Sequence, residues 1–269
     1  MQPQEEQPTF PHDQLDDTQG QQPGSDSNEV VEAIQQEVQS ARRPRYQILR
    51  QARVLLPIYI LLLTLFAALA VWVHSHPILA IDVTITRDFQ ADRSPWLSTL
   101  MTAVSYLGNT ALVFAALVWL TAAIFWVLRL RLEALIIVCV STTSELLDVL
   151  LKLLVARPRP SEPLVNILQH ANGLSFPSGH VMAYVAYWGL LFSFGILLFN
   201  QQRWWRTALL IVAGLFVILV GPSRIYLGDH WASDVLGAYV IGGLWLWLWL
   251  WIYTKLKERG VLAIRARPA

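Results

Sequence analysis

The chain has 269 residues, of which 55% are hydrophobic and only 14% are charged. A soluble domain usually carries about a quarter charged residues, so the composition excludes an ordinary soluble protein and indicates membrane lipids as its surroundings. The formal net charge of +1 comes with no uniformly basic surface, which excludes nucleic acid as an expected partner. The one cysteine, Cys139, excludes a disulfide framework and a thiolate metal site.

The first 41 residues contain nine acidic side chains and no lysine or arginine. They are rich in Gln, Asp, Glu and Pro and poor in aromatic residues, which is typical of disordered segments. We therefore expect residues 1–41 to be a disordered, acidic, cytoplasmic tail. This start is too polar for a secretory signal peptide, so the first apolar run is expected to stay in place as a membrane anchor.

Six apolar runs follow, each suited to a helix that crosses a bilayer, which takes about 20 residues. They lie at residues 54–73, 101–128, 132–151, 181–199, 204–222 and 235–253. Residues 74–98 read as a polar loop, and the second run is long enough that part of it is expected to tilt or to lie in an outer loop. The sequence thus predicts an all-α, polytopic bundle of six transmembrane helices within residues 42–257, followed by a short basic cytoplasmic tail at 258–269.

The positions of the twenty lysines and arginines predict the orientation of this bundle. With six spans, fourteen of them lie on one side, which the positive-inside rule makes cytoplasmic. Both termini are then cytoplasmic, and the protein is expected in the plasma membrane. The fourteen are Arg42, Arg43, Arg45, Arg50, Arg53, Arg129, Arg131, Arg203, Arg206, Lys255, Lys257, Arg259, Arg265 and Arg267.

The remaining six basic residues lie on the outer side. Arg87 and Arg93 belong to the polar loop, where water is expected to solvate them. The other four form a cationic cluster where the positive-inside rule disfavours one, and they therefore need another explanation. These four are Lys152, Arg157, Arg159 and Arg224.

Three polar segments map to this outer face, each at the end of an apolar run. The first begins at Lys152 and ends in Arg159-Pro160, and the second is Pro177-Ser178-Gly179-His180. The third contains Ser223-Arg224, then His230 after five residues and Asp234 after three more. Although they are far apart in sequence, they meet if the ends of these helices pack together.

The three segments resemble the signature of the type 2 phosphatidic acid phosphatase superfamily, which also includes vanadium haloperoxidases and glucose-6-phosphatase. That signature is a Lys, six residues and Arg-Pro; then Pro-Ser-Gly-His; then Ser-Arg, five residues, His, three residues and Asp. All three match without a substitution over residues 152–234, and the six-span layout extends the likeness to about 54–254. The resemblance implies a membrane lipid phosphatase that acts on phosphatidic acid, phosphatidylglycerophosphate or a polyprenyl phosphate or pyrophosphate.

The residue types fit phosphate chemistry, in which catalysis depends on positioning and charge stabilisation. Lys152, Arg159 and Arg224 are expected to bind the phosphate oxygens as cations. Ser178 can donate its hydroxyl group to the phosphate, and Gly179 lets the backbone N–H of the fourth helix approach the anion.

His230 is the expected nucleophile, and the resemblance implies a phosphohistidine intermediate. Asp234 is one helical turn further on and is expected to hold the imidazole in the attacking tautomer. His180 is then the general acid for the leaving alkoxide and the base that activates water. No metal or other cofactor is expected, because these three residues lack a ligand spacing and the neighbouring cations repel a divalent ion.

Several residues keep a second interpretation. Ser178 also suits the N-cap of the fourth helix, and Arg157 is expected either to line the site or to face water. Asp148 is one turn before Lys152 and is expected to pair with it, whereas Glu145 has no assigned role. The remaining histidines are expected to be capping or surface residues: His12, His74, His76 and His170.

Alternatives to hydrolysis remain open at the level of sequence. The first is transfer of the phosphoryl group or headgroup to an acceptor other than water. The second is a transporter whose cationic cluster only binds a lipid phosphate, although transport gives no reason for the pairing of His230 with Asp234. A haloperoxidase is disfavoured because those relatives are soluble. The sequence predicts no oligomeric state.

Overall fold

The computed structural model describes residues 52–199 and 203–262, with side chains from Leu55 onward. Within these residues the chain forms eight helices and no strand, which confirms the predicted all-α fold. The helices are α1 (Ala52–Ser75), α2 (Ala80–Phe89), α3 (Pro95–Asn109), α4 (Ala111–Val127), α5 (Arg131–Val155), α6 (Gly179–Leu197), α7 (Trp204–Tyr226) and α8 (Ala232–Glu258). The predicted tail at residues 1–41 and most of the tail at 258–269 lie outside the described residues.

Five of these helices are long and apolar enough to cross a membrane: α1, α5, α6, α7 and α8. A sixth crossing exists if α3 and α4 count as one span, although the pair is bent by 74°. The prediction of a polytopic membrane protein is therefore confirmed, and the second predicted span, at residues 101–128, proves to be broken. The break falls at Thr110, whose backbone is extended, directly after Gly108 and Asn109. Both of these residues have poor helix propensity.

The prediction of a polar loop at residues 74–98 was wrong in part, because this segment contains α2 and the start of α3. Helix α2 buries Asp82 and Thr86 on one face and exposes Ile81 and Phe89 on another. A ten-residue helix with a buried carboxylate has neither the length nor the apolarity of a membrane span. Its pattern therefore did not stand out among the polar residues around it.

Helix α6 is the centre of the bundle and packs against α5, α7 and α8. It buries twelve of its nineteen residues, as expected of a helix that is apolar on every side. Close approach depends on small residues, because an added methyl group at Gly189 would lie 2.8 Å from Leu246 and one at Gly195 would lie 2.9 Å from Leu210. Such contacts hold membrane helices together where lipid leaves little hydrophobic driving force.

The two ends of the bundle carry different polar groups. At one end, near the start of α5, buried Glu133 accepts a hydrogen bond of 2.8 Å from Tyr253 and forms an ion pair with Lys257. At the other end, about 28 Å from Glu133 along α5 at 1.5 Å per residue, lie Lys152 and the starts of α6 and α8. The predicted site and the basic end of α8 are therefore at opposite ends of the bundle.

Candidate active site

The structure brings all eight predicted site residues together at one end of the bundle. They come from four places: the last turn of α5 and the loop after it, the start of α6, the last turn of α7, and the first turn of α8 with the loop that leads into it. His180 at the start of α6 interacts electrostatically with Lys152, Arg159, Arg224 and His230. The backbone N–H of Ser178 in turn donates to the carbonyl of Asp234 at 3.3 Å, which joins the starts of α6 and α8.

Lys152 is fixed by a carboxylate one helical turn earlier in α5. Its Nζ atom donates to Oδ2 of Asp148 at 2.6 Å, and Asp148 is only 4% exposed. The predicted pairing of these two residues is therefore confirmed. The start of α6 presses on this pair, because a methyl group added at Gly179 would lie 2.8 Å from the carboxylate and 2.9 Å from the ammonium. Glycine at this position thus lets the N-terminus of α6 approach the lysine.

Arg159 lies beside the imidazole of His230. Its Nη1 atom is 3.2 Å from Nε2 of His230 and donates to the backbone carbonyl of Asp229 at 2.9 Å. A guanidinium group can only donate hydrogen bonds, so Nε2 of His230 is the acceptor and carries the lone pair. The proton of the neutral imidazole is then on Nδ1, 3.6 Å from Oδ2 of Asp234.

Asp234 lies in the first turn of α8, and donors from several segments hold its carboxylate. Its Oδ2 atom accepts the backbone N–H of Trp231 at 2.9 Å and the hydroxyl of Ser175. Its Oδ1 atom accepts Nη1 of Arg157 at 2.6 Å. Because these contacts come from different segments, they fix the carboxylate against the imidazole of His230.

The loop residues of the site have shifted pKa values. Burial, and then the cationic charges of Arg159, Arg224 and Lys152, hold the pKa of His230 well below its usual range, so the imidazole is neutral at physiological pH. Burial also lowers the pKa of Arg159. A neutral His230 keeps its lone pair available for attack.

Arg224 is almost completely buried, at 1% exposure, at the end of α7. It forms an ion pair with Asp229 and donates a hydrogen bond to the hydroxyl of Ser105 in α3. Burial raises the pKa of Asp229 although the charge of Arg224 opposes that shift. These two contacts orient the guanidinium group from both sides.

His180 contacts the break between α3 and α4. Its Nε2 atom lies 3.1 Å from Oδ1 of Asn109, which also accepts hydrogen bonds from Ser105 and Gln169. A carbonyl oxygen only accepts, so Nε2 of His180 carries a proton. A methyl group at Gly108 would overlap the ring of His180. The two histidines therefore differ at Nε2, which is unprotonated in His230 and protonated in His180.

Four buried donor atoms at the site have no hydrogen-bond partner within the described residues. One is Nδ1 of His230, 3.6 Å from Asp234, and the other three are the Ser178 hydroxyl and the Nε atoms of Arg159 and Arg224. Buried donors are normally satisfied, and these lie beside the N-terminus of α6, which favours an anion. Ser178 occupies the N-cap position of α6, as predicted, and its side chain makes no capping hydrogen bond, which leaves the hydroxyl available to an anion.

Arg157 does not face water, so that interpretation was wrong, and it contacts the predicted site residues through Asp234. It has no exposed surface and forms ion pairs with Asp82 at 2.7 Å and Asp234 at 2.6 Å. Its guanidinium also lies 5.9 Å from the ring centre of Trp231. An arginine buried this deeply requires such partners, and Asp82 on α2 was outside every recognised motif.

The sequence patterns missed five residues that hold the site in place: Asp82, Ser105, Asn109, Ser175 and Asp229. Only Asp229 carried a signal, as an acidic residue next to His230. The other four contact residues that are 59 to 119 positions away in sequence, so their role depends on tertiary packing. Within the described residues no group of three or more His, Cys, Asp or Glu side chains is arranged to hold a metal, and the metal-independent reaction stays a prediction.

The fold and this end of the bundle together define a class of protein. A transmembrane bundle whose cations and buried donors surround a helix N-terminus suits a phosphate group, and a neutral histidine beside them suits attack on phosphorus. These features place the protein among the integral membrane phosphatases.

Comparison with known proteins identifies the family within that class. Residues 133–258 match the PAP2 superfamily. Phosphatidylglycerophosphatase B of Bacillus subtilis (strain 168) is 32% identical over 178 residues, which cover 66% of this chain and 85% of the relative. The chain therefore belongs to the PAP2 superfamily, as its motifs predicted.

Two further similarities are informative. Undecaprenyl-diphosphatase BcrC of Bacillus subtilis (strain 168) is 29% identical over 146 residues, which cover 54% of this chain and 70% of the relative. The crystal structure of a transmembrane PAP2 type phosphatidylglycerolphosphate phosphatase from Bacillus subtilis superimposes with a TM-score of 0.63 at 28% identity. That match covers 78% of this chain and 98% of the crystallised chain.

Proposed function

We propose that this protein hydrolyses a lipid phosphate monoester or diphosphate through a phosphohistidine intermediate on His230. The observation that carries the proposal is the contact between Nε2 of His230 and Nη1 of Arg159, at 3.2 Å. It gives the imidazole the tautomer required for attack at Nε2 and places the attacking atom beside a cation that suits phosphate oxygens.

In the first step, Nε2 of His230 attacks phosphorus, and the N–P bond forms as the P–O bond to the lipid breaks. Lys152, Arg159 and Arg224 stabilise the charge on the phosphoryl oxygens, together with the Ser178 hydroxyl and the N–H groups at the start of α6. Asp234 stabilises the positive charge that develops on the imidazole. With the anionic substrate bound beside it, His180 is protonated on both ring nitrogens. It gives its Nε2 proton to the leaving oxygen and becomes neutral, and the leaving group departs as a lipid alcohol or, from a diphosphate, as a lipid monophosphate.

In the second step, water attacks the phosphoryl group and the N–P bond breaks. His180, now neutral, takes a proton from the attacking water, and inorganic phosphate is released. His230 returns to its starting tautomer with Nδ1–H directed towards Asp234. The same histidine thus acts as acid in one step and as base in the other.

The substrate class follows from where the site lies. A phosphate site at one end of a transmembrane bundle is level with lipid headgroups, so a lipid can present its phosphate while its tail stays in the bilayer. Phosphatidylglycerophosphatase B and the undecaprenyl-diphosphatase are both similar to this chain, which supports a lipid phosphate but leaves monoester and diphosphate as two candidates. We assign the site to the extracytoplasmic face because fourteen of the twenty basic residues fall in the tails and connections that the sequence predicts on the opposite side.

Phosphate release from a panel of lipids in detergent micelles tests this function. The panel contains phosphatidic acid, phosphatidylglycerophosphate and a polyprenyl diphosphate, with His230→Ala as the inactive variant. His76→Ala is the matched control, because His76 is exposed and lies outside the site. We expect wild type and His76→Ala to release phosphate from at least one lipid and His230→Ala to release none. Equal turnover by wild type and His230→Ala would rule out the mechanism.

A further inference from the structure

A group of buried charges connects α2 to the nucleophile. Arg157 has no exposed surface, Asp82 is 1% exposed and Asp234 is fully buried. The guanidinium donates from Nη2 to Asp82 at 2.7 Å, from Nη1 to Asp234 at 2.6 Å and from Nε to the Pro77 carbonyl at 2.9 Å. Because each nitrogen has a different partner, the guanidinium cannot turn towards either carboxylate alone.

Asp82 also fixes the first turn of α8. Its Oδ1 atom accepts the backbone N–H of Ser233 at 2.9 Å, and its Oδ2 atom accepts the Ser233 hydroxyl at 2.6 Å. Ser233 is the residue before Asp234, and its hydroxyl accepts a further hydrogen bond from Arg157 at 2.7 Å. One carboxylate on α2 therefore holds both the arginine and the backbone that present Asp234 to His230.

The charges of this group decide its effect on His230. Two carboxylates share one guanidinium, so the buried group keeps a net negative charge on the side that faces Nδ1 of His230. Without the charge of Asp82, Arg157 would pair with Asp234 alone and cancel that negative charge. The positive charge that develops on the imidazole during attack would then be stabilised less, in a buried site where charges interact strongly.

We propose that Asp82 is a positioning residue for the nucleophile, acting on His230 through Arg157 and Asp234. This inference rests on the proposed function. It gives α2 a catalytic purpose, although the helix lies outside both the three motifs and the PAP2 match at residues 133–258. Asp82 touches neither the substrate nor the reacting atoms, so its effect is on kcat and not on substrate binding.

The first test is Asp82→Asn in the full-length protein, which keeps the shape of the side chain and removes its charge. With dioctanoyl phosphatidic acid as substrate, or the lipid that proves active, we expect kcat to fall about tenfold while KM stays within about twofold, as for a partner that orients a reactive group. Asp88→Asn is the matched control, because Asp88 is on the same helix and is exposed, and it should retain the wild-type kcat. An unchanged kcat in Asp82→Asn would overturn the inference.

The second test separates positioning from a general structural role. If Asp82 acts through Asp234, the two substitutions are not additive, and Asp82→Asn should change the residual rate of Asp234→Asn by less than about twofold. The same loss in both backgrounds would instead show that Asp82 acts independently of Asp234, and would overturn the proposal.

If Asp82→Asn does not yield folded protein, Ser233→Ala is the milder variant, because it removes one hydrogen bond of Asp82 and one of Arg157. It should lower kcat about threefold and show the same lack of additivity with Asp234→Asn. If Ser233→Ala lowers the rate of Asp234→Asn by the same factor as it lowers the wild-type rate, the inference is wrong. Failure of the proposed function is recognised separately, because His230→Ala would then keep its activity whatever Asp82→Asn does.

Discussion

Nε2 of His230 faces Nη1 of Arg159 at 3.2 Å, and this contact determines the chemical state of the nucleophile. The arginine can only donate, so the lone pair of His230 is on the nitrogen that faces the cations. The proton is on the opposite nitrogen, towards Asp234. One contact between two motif residues thus selects the tautomer and places the phosphate-binding charge next to the attacking atom.

The same contact predicts a pH dependence. Burial and the neighbouring cations hold the pKa of His230 below its usual range, so the neutral, active form persists to lower pH than in an ordinary histidine. Arg159→Gln removes a positive charge and raises this pKa, because the imidazolium is then less disfavoured. The acid limb of the pH profile of kcat/KM should therefore move to higher pH.

The profile is measured for wild type, Arg159→Gln and the control Arg87→Gln with one substrate, so that the ionisation of the substrate is the same in all three. Arg87 is exposed on α2 and is not among the charges that shift the pKa of His230, so its variant should have the wild-type profile. An acid limb at the same pH in Arg159→Gln and wild type would show that the arginine does not control the protonation of the nucleophile.

The close packing of Gly179 at the start of α6 gives a second prediction. A methyl group at Gly179 would lie within 2.9 Å of the paired Lys152 and Asp148, so Gly179→Ala should displace the ammonium. We expect kcat/KM to fall on the order of tenfold to a hundredfold, as for other small displacements in active sites. Gly243→Ala is the control, because nothing lies within 4 Å of that position. Similar rates for the two variants would contradict the close approach seen here.

Asn109 gives a third prediction, which concerns proton transfer. Its Oδ1 atom accepts a hydrogen bond from Nε2–H of His180, so Asn109→Ala should leave the general acid poorly oriented. Turnover of a lipid alkyl phosphate should fall about tenfold or more, since the alkoxide needs a proton to leave. p-Nitrophenyl phosphate, whose leaving group needs no proton, should be affected much less.

His180→Ala should show the same dependence on the leaving group, and more strongly. The comparison is a ratio of two rates for each variant, so differences in protein yield cancel. An equal loss on both substrates in Asn109→Ala would mean that this residue supports the fold and does not orient His180.

Much of the fold could be predicted from apolar length alone. The expected span at residues 132–151 corresponds to α5, and that at 204–222 to α7, because a continuous apolar run of bilayer length allows few other structures. The break at Asn109–Thr110 was not predictable from hydropathy, since the apolar run continues through it. Helix α2 was missed because its buried residue is a carboxylate, and the partner that permits such burial, Arg157, is 75 positions away.

The site residues also divide into those that the sequence predicts and those that it does not. His180, His230 and the cations belong to short motifs whose spacing is visible in the sequence. Their partners on other helices, such as Asn109 and Asp82, could not be predicted, because an isolated Asn or Asp belongs to no recognisable sequence pattern. Arg157 illustrates the point, since its sequence position beside Arg159 gave no indication that it faces away from the phosphate site.

The orientation in the membrane gives a fourth prediction. With Cys139 replaced by serine, Glu162→Cys places a thiol in an exposed loop at the end that carries the site, and Glu258→Cys places one at the opposite end. A membrane-impermeant maleimide added to intact cells should label the first variant, and should label the second only after permeabilisation. The reverse pattern would place the site in the cytoplasm.

The central claim is that His230 becomes phosphorylated, and trapping the intermediate tests it most directly. Wild-type protein is mixed with a lipid substrate labelled with ³²P in its terminal phosphate and is stopped in alkaline detergent, where a phosphohistidine N–P bond survives. Label should remain on wild-type protein, should be released by mild acid and should be absent from His230→Ala. Label of equal amount on His230→Ala, or none on a wild-type protein that turns over the substrate, would contradict the mechanism.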